Sequence, residues 1–250
     1  MKIKSMILTV MTSPAVSRIN VPLVVFFRFI LKFLAPHSRW ENDCCEIMRK
    51  FGFEKTFNSK TSVDADGNPI PWYSYPAIEF LRTVDFSDCS VFEYGSGNST
   101  LYWEKHAEKV TAVEHDAKWY EFFSHNFSER INAELRENKI DYVSALSGMY
   151  DVIVIDGPWR DLCAERAVKH INGDGIIILD DSQRGQASDE YKRALKTLQQ
   201  DERFLQLDFY GFTPITPYTK VTTLFISRVR RMLHNVEIPV YGIGNIQNEN

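Results

Sequence analysis

The feature that most constrains the fold is an apolar segment that ends in two closely spaced glycines and is followed, one helix later, by an acidic residue. The segment is Val91-Phe-Glu-Tyr-Gly-Ser-Gly-Asn-Ser-Thr100, and the acid is Glu114. Gly95 and Gly97 lack the Cβ atoms that would keep a ligand away from the backbone at the end of a strand. The pattern therefore predicts a strand–turn–helix–strand unit, which is typical of a sheet flanked by helices.

The same unit predicts a crevice that binds a nucleoside. The N–H groups at the start of the helix, which Asn98, Ser99 or Thr100 can cap, favour a polar or anionic group. Glu114 falls where the next strand ends, and a carboxylate there can accept hydrogen bonds from both hydroxyls of a ribose. A dinucleotide fingerprint would carry a third glycine, but this chain has Thr100 at that position.

Glu93 precedes Gly95 by two residues, so the turn reads E-x-G-x-G. This sequence resembles the first motif of the class I S-adenosylmethionine-dependent methyltransferases, with Glu114 as the ribose-binding acid. The resemblance extends from Pro71 to Arg228. It implies an α/β, Rossmann-like fold with a mostly parallel seven-stranded sheet, an antiparallel last strand and helices on both faces. The implied cofactor is S-adenosylmethionine, and the expected reaction is O-methylation of a small-molecule or sugar/glycoconjugate hydroxyl.

The resemblance also assigns residues to the cofactor. Those expected to contact it are Glu93, Gly95, Gly97, Asn98, Ser99, Glu114, Ser144, Asp156 and Tyr75. Ser144 is included because the predicted third strand lies close to the fourth, where the family usually has a longer excursion that contacts the adenine. Tyr75 lies in a predicted helix, 72–81, of the kind that covers the cofactor in this family. The alternative for its aromatic residues is that they fill the edge of the core.

Alternating apolar and amphipathic segments predict the other elements. Val152-Ile-Val-Ile155 and Ile176-Ile-Ile-Leu179 are apolar on both faces, as the central strands of a parallel sheet are. Strands are predicted at 90–94, 110–114, 141–145, 151–156, 175–180, 204–210 and 221–227, and helices at 99–107, 117–135, 161–171 and 187–200. The last two strands are close enough in sequence to form an antiparallel hairpin.

Three aspartates follow the two central strands and carry the predicted chemistry. Asp156 ends one strand, and Asp180 and Asp181 end its neighbour. Crowded carboxylates repel each other unless a cation or a proton intervenes, and oxygen ligands suit Mg²⁺ or another hard divalent ion. The arrangement resembles the metal-dependent O-methyltransferases of the catechol O-methyltransferase type, which implies that all three aspartates are catalytic and bind a metal. Two alternatives stay open, namely a metal-free general base and simple capping of the next segment by Asp180 or Asp181.

Composition favours one large domain and argues against a general nucleic-acid binder. The chain has 250 residues, of which 44% are hydrophobic, and a net charge of −4, whereas nucleic-acid-binding domains carry a basic face. We expect an N-terminal helical arm and linker at 1–70, the methyltransferase domain at 71–230 and a C-terminal tail at 231–250. Four cysteines without a C-x-x-C pair favour a reduced, cytoplasmic protein.

The segment 21–34 is strongly apolar but too short to span a bilayer. Two interpretations remain for it. It forms a helix that packs on the domain or on a second copy in a homo-oligomer, or it forms an interfacial helix that holds the protein at a membrane surface.

Two other functional classes also remain open. One is a non-catalytic nucleoside-binding or scaffold protein that has the same fold. The other is a nicotinamide-dependent oxidoreductase, against which the missing third glycine argues.

Overall fold

The computed structural model describes residues 36–229 and 242–243, with side-chain environments from residue 43 onward. It divides into two units, residues 1–47 and 48–250. The described part of the first unit belongs to helix α1 (Pro36–Lys50). The apolar segment 21–34 and nearly all of the tail lie outside the described residues, so the predictions made for them stay predictions. Within the described ranges, no helix is both long enough and apolar enough to cross a membrane.

The second unit is built on a seven-stranded sheet. Its strands are β1 (Ser90–Tyr94), β2 (Lys109–Glu114), β3 (Ile131–Leu135), β4 (Tyr150–Ile155), β5 (Ile171–Leu179), β6 (Phe204–Phe212) and β7 (Thr219–Ser227). They lie in the order β3-β2-β1-β4-β5-β7-β6. β7 is antiparallel to both of its neighbours, and the other pairings are parallel. The predicted Rossmann-like fold with an antiparallel end is confirmed.

Two helices of this unit precede the sheet, and the others connect its strands. They are α2 (Phe53–Ser59), α3 (Tyr75–Leu81), α4 (Asn98–His106), α5 (Ala117–Ser124), α6 (Lys139–Ser144), α7 (Arg160–His170) and α8 (Asp189–Gln199). A 3₁₀ turn at Ser182–Gln186 follows β5. Helices α4, α7 and α8 lie where the sequence predicted them, with small differences at their ends.

Strand residues alternate between two apolar cores, one on each face of the sheet. Val152 and Val154 of β4 belong to the core that α3 and α4 complete. Ile153 and Ile155 belong to the core that α6, α7 and α8 complete. Because successive side chains of a strand point to opposite faces, a strand covered on both sides must be apolar throughout. This is why β4 is a continuous apolar run.

One part of the predicted order is wrong. The sequence predicted a single helix over 117–135 and the third strand at 141–145, but α5 ends at Ser124 and the third strand is Ile131–Leu135. That strand pairs with β2 along its whole length. Pairing with a neighbouring strand overrides the helix propensity of the alanine, glutamate and leucine that β3 contains.

The predicted third strand is instead helix α6. Asn138 accounts for this helix, because its side-chain oxygen accepts a hydrogen bond from the N–H of Asp141 (2.9 Å) and caps the first turn. Tyr142 points from α6 into the core, where its ring lies 5.4 Å from that of Tyr94. The connection between β3 and β4 is therefore a full excursion with its own helix, and the shortened connection inferred from the sequence is wrong.

Candidate active site

A cavity of about 510 Å³ opens beyond the carboxyl ends of β1, β2, β4 and β5. The strand order reverses between β1 and β4, and in sheets of this kind ligands bind in the crevice at that switch point. Ligand-binding pockets are commonly about 300–1,000 Å³, so the volume suits a cofactor-sized molecule. One end of the cavity is formed by the glycine turn and β2, and the other by the ends of β4, β5 and the start of β7.

The glycine turn joins β1 to α4. Gly95 has φ +112° and Gly97 has φ +151°, which are backbone conformations that other residues rarely adopt. The N–H of Gly97 donates to the hydroxyl of Thr100 (3.0 Å), and that hydroxyl donates to Glu93 (2.5 Å). The buried carboxyl group of Glu93 thus fixes the glycine turn through the hydroxyl of Thr100.

Glu93 is buried, and one of its two carboxyl oxygens has no hydrogen-bond partner among the described residues. Burial raises the pKa of Glu93 to about 8, although hydrogen bonds from Ser99 and Thr100 act in the opposite direction. A carboxyl group with that pKa is mostly protonated at pH 7. Burial therefore favours the neutral form of the first acid of the motif.

Glu114 occupies the end of β2, opposite the turn. Its Oε1 accepts hydrogen bonds from the backbone N–H groups of His115 (2.7 Å) and Asp116 (2.9 Å). Its Oε2 accepts from the N–H (3.0 Å) and the hydroxyl (3.2 Å) of Ser96. These donors fix the carboxylate on the cavity wall beside Gly95.

Trp119 also lines this end of the cavity, and the sequence did not predict it. Asp116 caps α5 by accepting hydrogen bonds from the N–H groups of Lys118 and Trp119, so the indole lies on the first turn of the helix. The indole N–H donates to the carbonyl oxygen of Ser96 (2.6 Å). An aspartate two residues after Glu114 is a helix-start signal, and it could have placed this tryptophan beside the turn.

The three predicted aspartates come together at the other end of the cavity. Asp156 pairs with Arg160, with 3.0 Å between Oδ1 and the guanidinium nitrogen. Asp180 is fully buried and accepts a hydrogen bond from the hydroxyl of Thr222 (2.6 Å). Thr222 was not predicted. The polar residues at the start of the otherwise apolar last strand could have indicated that this part of the strand contacts the site.

Asp181 lies between two cations. Its Oδ1 is 3.0 Å from the ammonium of Lys220, and its Oδ2 is 3.0 Å from the guanidinium of Arg184. The Lys220 ammonium also lies 4.8 Å from the centre of the Trp72 ring. Asp181 has φ +59° and Trp159, after β4, has φ +55°. Left-handed backbone is uncommon for such residues and is often found at functional sites.

Burial and charge shift the protonation of this group. Burial raises the pKa of Asp156 to about 6, against the effect of Arg160. Burial, with the neighbouring carboxylates, also raises the pKa of Asp180. Burial disfavours the charge of Lys220, but the carboxylates of Asp180 and Asp181 outweigh that effect and raise its pKa. The ammonium therefore stays charged throughout the neutral range.

The aspartates do not fit a divalent metal in this arrangement. Both oxygens of Asp181 and one oxygen of Asp156 already face a cation at 3.0 Å. Among the described residues, no group of three or more histidine, cysteine, aspartate or glutamate side chains has the geometry to hold a metal ion. The pairing of Asp156 and Asp181 with cations therefore opposes the metal prediction for Asp156, Asp180 and Asp181.

Of the predicted cofactor residues, Gly95, Ser99, Glu114 and Asp156 line the cavity, whereas Glu93 and Gly97 lie behind its wall and Asn98, Tyr75 and Ser144 make other contacts. The side-chain amide of Asn98 donates to the carbonyl oxygen of Ser62 (2.6 Å). Tyr75 is buried in the core, with its ring 4.8 Å from that of Phe51, in line with the alternative that the aromatic residues fill the core edge. Ser144 ends α6 and lines a separate cavity between α6 and α7. Its assignment depended on the strand prediction for 141–145, which is wrong.

No protein-family model matches the chain, and no curated protein matches its sequence. Solved structures do match its fold. A candidate O-methyltransferase from Klebsiella pneumoniae aligns with 80% of this chain and 94% of its own, at 15% identity and a TM-score of 0.52. An O-methyltransferase of tomaymycin synthesis from Streptomyces achromogenes, solved with S-adenosylmethionine, aligns with 73% of this chain and 89% of its own, at 12% identity and a TM-score of 0.51.

An O-methyltransferase from Bacillus cereus, solved with S-adenosylhomocysteine, aligns with 72% of this chain and 90% of its own, at 13% identity and a TM-score of 0.51. At these identities the likeness concerns the fold. The second unit of this chain has the Rossmann-like fold of the class I S-adenosylmethionine-dependent methyltransferases.

Proposed function

We propose that this protein is an S-adenosylmethionine-dependent methyltransferase that methylates a hydroxyl oxygen of a small molecule or of a sugar or glycoconjugate. The observation that carries the proposal is one cavity with two chemically different ends. At one end Glu114 faces the Gly95–Gly97 turn, and at the other Asp156 and Asp181 face three cationic side chains. The first end suits a nucleoside, and the second suits the binding and deprotonation of an acceptor.

The residues at the glycine-turn end fit the cofactor. The carboxylate of Glu114 can accept hydrogen bonds from the ribose hydroxyls. Of its present donors, the Ser96 hydroxyl is the most distant at 3.2 Å and is the one that a ribose hydroxyl can most easily replace. A Cβ on Gly95 would lie at an ordinary contact distance, 3.5 Å, from the backbone of Asp156. The left-handed φ of Gly95, rather than crowding, therefore requires glycine at this position.

S-adenosylmethionine supplies a methyl group that its sulfonium already activates, so the protein must align the acceptor and remove a proton. Asp156 is the carboxylate best placed to act as the base, because 27% of its side chain is exposed against 7% for Asp181. Asp156 would take the proton of the acceptor hydroxyl, so that the oxygen could displace the activated methyl group. The bound cofactor would supply that methyl group and would keep the electron pair of its C–S bond on sulfur.

The arginines at this end contribute in different ways. Arg160 is buried and bonded to Asp156, and its guanidinium also contacts the carbonyl oxygen of Gly157. Arg184 is about half exposed at the rim of the cavity. We therefore assign Arg160 to orienting the base and Arg184 to contact with a polar or anionic part of the acceptor.

Calorimetric titration tests the nucleoside half of the proposal. We expect the full chain to bind S-adenosylmethionine and S-adenosylhomocysteine but not NAD⁺, with a dissociation constant that rises at least about tenfold in Glu114→Gln because a charge-assisted contact to the ribose is lost. Glu121→Gln, an exposed glutamate of α5, is the matched control and leaves binding unchanged.

Two results would contradict this expectation. Binding of NAD⁺ in preference to S-adenosylmethionine would favour the oxidoreductase class. Binding of neither compound by the folded protein would favour a scaffold.

A further inference from the structure

Lys220 is a charged residue in a strand that is otherwise buried. It is the second residue of β7 and pairs in register with Gly211 of β6. Only 7% of its side chain is exposed, and its ammonium reaches the wall of the cavity between Asp181 and the ring of Trp72. Lysine is rarely buried unless it is paired.

The stability of the fold does not account for this pair. Removing two charges from water costs about as much free energy as their mutual attraction returns, so a buried ion pair adds little net stability. Among the described residues, Asp181 is the one carboxylate within 4.0 Å of the ammonium. An ammonium has three N–H donors. The positive charge is thus held at the cavity by the ion pair with Asp181, by the ring of Trp72 and by the more distant carboxylate of Asp180.

A divalent ion at this position would compete with Lys220 directly. Such an ion needs several carboxylate oxygens at about 2.0–2.6 Å. The oxygens of Asp181 already face Lys220 and Arg184, and the nearest oxygen of Asp156 faces Arg160. A fixed ammonium a few ångströms away also repels a dication, at low local dielectric more strongly than in water.

We propose that the Lys220 ammonium is the resident cation of the acceptor end of this cavity, in the position that a divalent metal would otherwise take between the strand-end aspartates. The charge of Lys220 therefore opposes the binding of a divalent ion at these aspartates, and removing that charge raises their affinity for such an ion. The inference goes beyond the proposed function and holds whether or not the chain transfers a methyl group.

Binding of Mn²⁺, followed by electron paramagnetic resonance, tests the inference. We expect no specific Mn²⁺ binding to the full-length wild-type protein. Lys220→Met keeps the length of the side chain but removes its charge, and we expect it to raise the Mn²⁺ affinity at least about tenfold. The double variant Lys220→Met with Asp181→Asn should lose the gained affinity, because the freed carboxylate supplies the ligand.

Two controls distinguish the effect of removing the Lys220 charge from a general loss of structure. Lys220→Arg retains a cation and should gain no Mn²⁺ affinity. Lys196→Met removes an exposed lysine of α8 and should behave as wild type. S-adenosylhomocysteine binding is also measured on each variant. If the proposed function is wrong, this binding is absent, whereas the Mn²⁺ results are unaffected.

Specific Mn²⁺ binding by the wild type that is lost in Asp181→Asn would overturn the proposal, as would a folded Lys220→Met variant with no gain in affinity. Circular dichroism reports whether Lys220→Met folds. If Lys220→Met does not fold, Mn²⁺ binding by the wild type and by Lys220→Arg tests the proposal instead. Mn²⁺ bound by either at the aspartates overturns the proposal, and its absence from both supports it.

Discussion

At the scale of single residues, the two glutamates of the nucleoside motif differ in environment. Glu114 accepts hydrogen bonds from backbone N–H groups and from Ser96 on the cavity wall. Glu93 is buried, and burial raises its pKa to about 8. The motif identifies both residues as acids, but the raised pKa of Glu93 depends on burial that the sequence does not state.

Glu93 makes stability depend on pH. Its pKa is about 8 in the folded protein against a usual value of 4.5. Below pH 4.5 the group is protonated in both states, so it contributes no difference. As the pH rises towards 8, the unfolded chain ionises while the folded chain stays protonated, and the wild type loses stability; above pH 8 the loss is complete.

The glutamine of Glu93→Gln does not titrate, so this variant should not lose stability as the pH rises. The difference in free energy of unfolding between the variant and the wild type should therefore be a few kcal/mol larger at pH 9 than at pH 5. One unit of pKa difference corresponds to roughly 1.4 kcal/mol. Urea unfolding at the two pH values measures this difference. Glu108→Gln, an exposed glutamate, serves as the control and should follow the wild type. Parallel stabilities of Glu93→Gln and wild type at both pH values would show that Glu93 ionises normally.

At the scale of elements, the inner strands and the edge strand β6 were predictable, whereas β3 at the other edge was not. β4 and β5 are apolar on both faces because helices cover both sides. β3 pairs on one side only and contains helix-forming residues, so local preference favours a helix there. Tyr142 and Val143 favour a strand locally, yet the Asn138 cap begins a helix. In both segments the tertiary or capping contact outweighed intrinsic propensity.

The importance of this cap is measurable. Replacing Asn138 with alanine removes the hydrogen bond to the N–H of Asp141, and we expect a loss of about 1 kcal/mol in the free energy of unfolding. Hydrogen exchange should increase most in α6. Asn126→Ala, at an exposed position before β3, is the comparison and should change little. An equal loss in both variants would mean that the cap does not determine α6.

At the scale of the whole molecule, the cavity exists because the strand order reverses between β1 and β4. The carboxyl ends of parallel strands lie on one edge of the sheet, so turns far apart in sequence meet there. This explains why Gly95, Glu114, Asp156 and the Asp180–Asp181 pair could be predicted as one site from their positions at strand ends. Lys220 and Thr222 reach the same place on antiparallel β7, and their pairings depend on the register of that strand.

We propose that this cavity binds S-adenosylmethionine with its nucleoside at the glycine turn. A crystal structure of the full chain with S-adenosylhomocysteine is the most direct test. We expect the ribose hydroxyls to lie within hydrogen-bond distance of Glu114, the amino-acid part beside Gly95 and the sulfur facing Asp156. A nucleoside bound elsewhere, or one whose ribose does not contact Glu114, would contradict it.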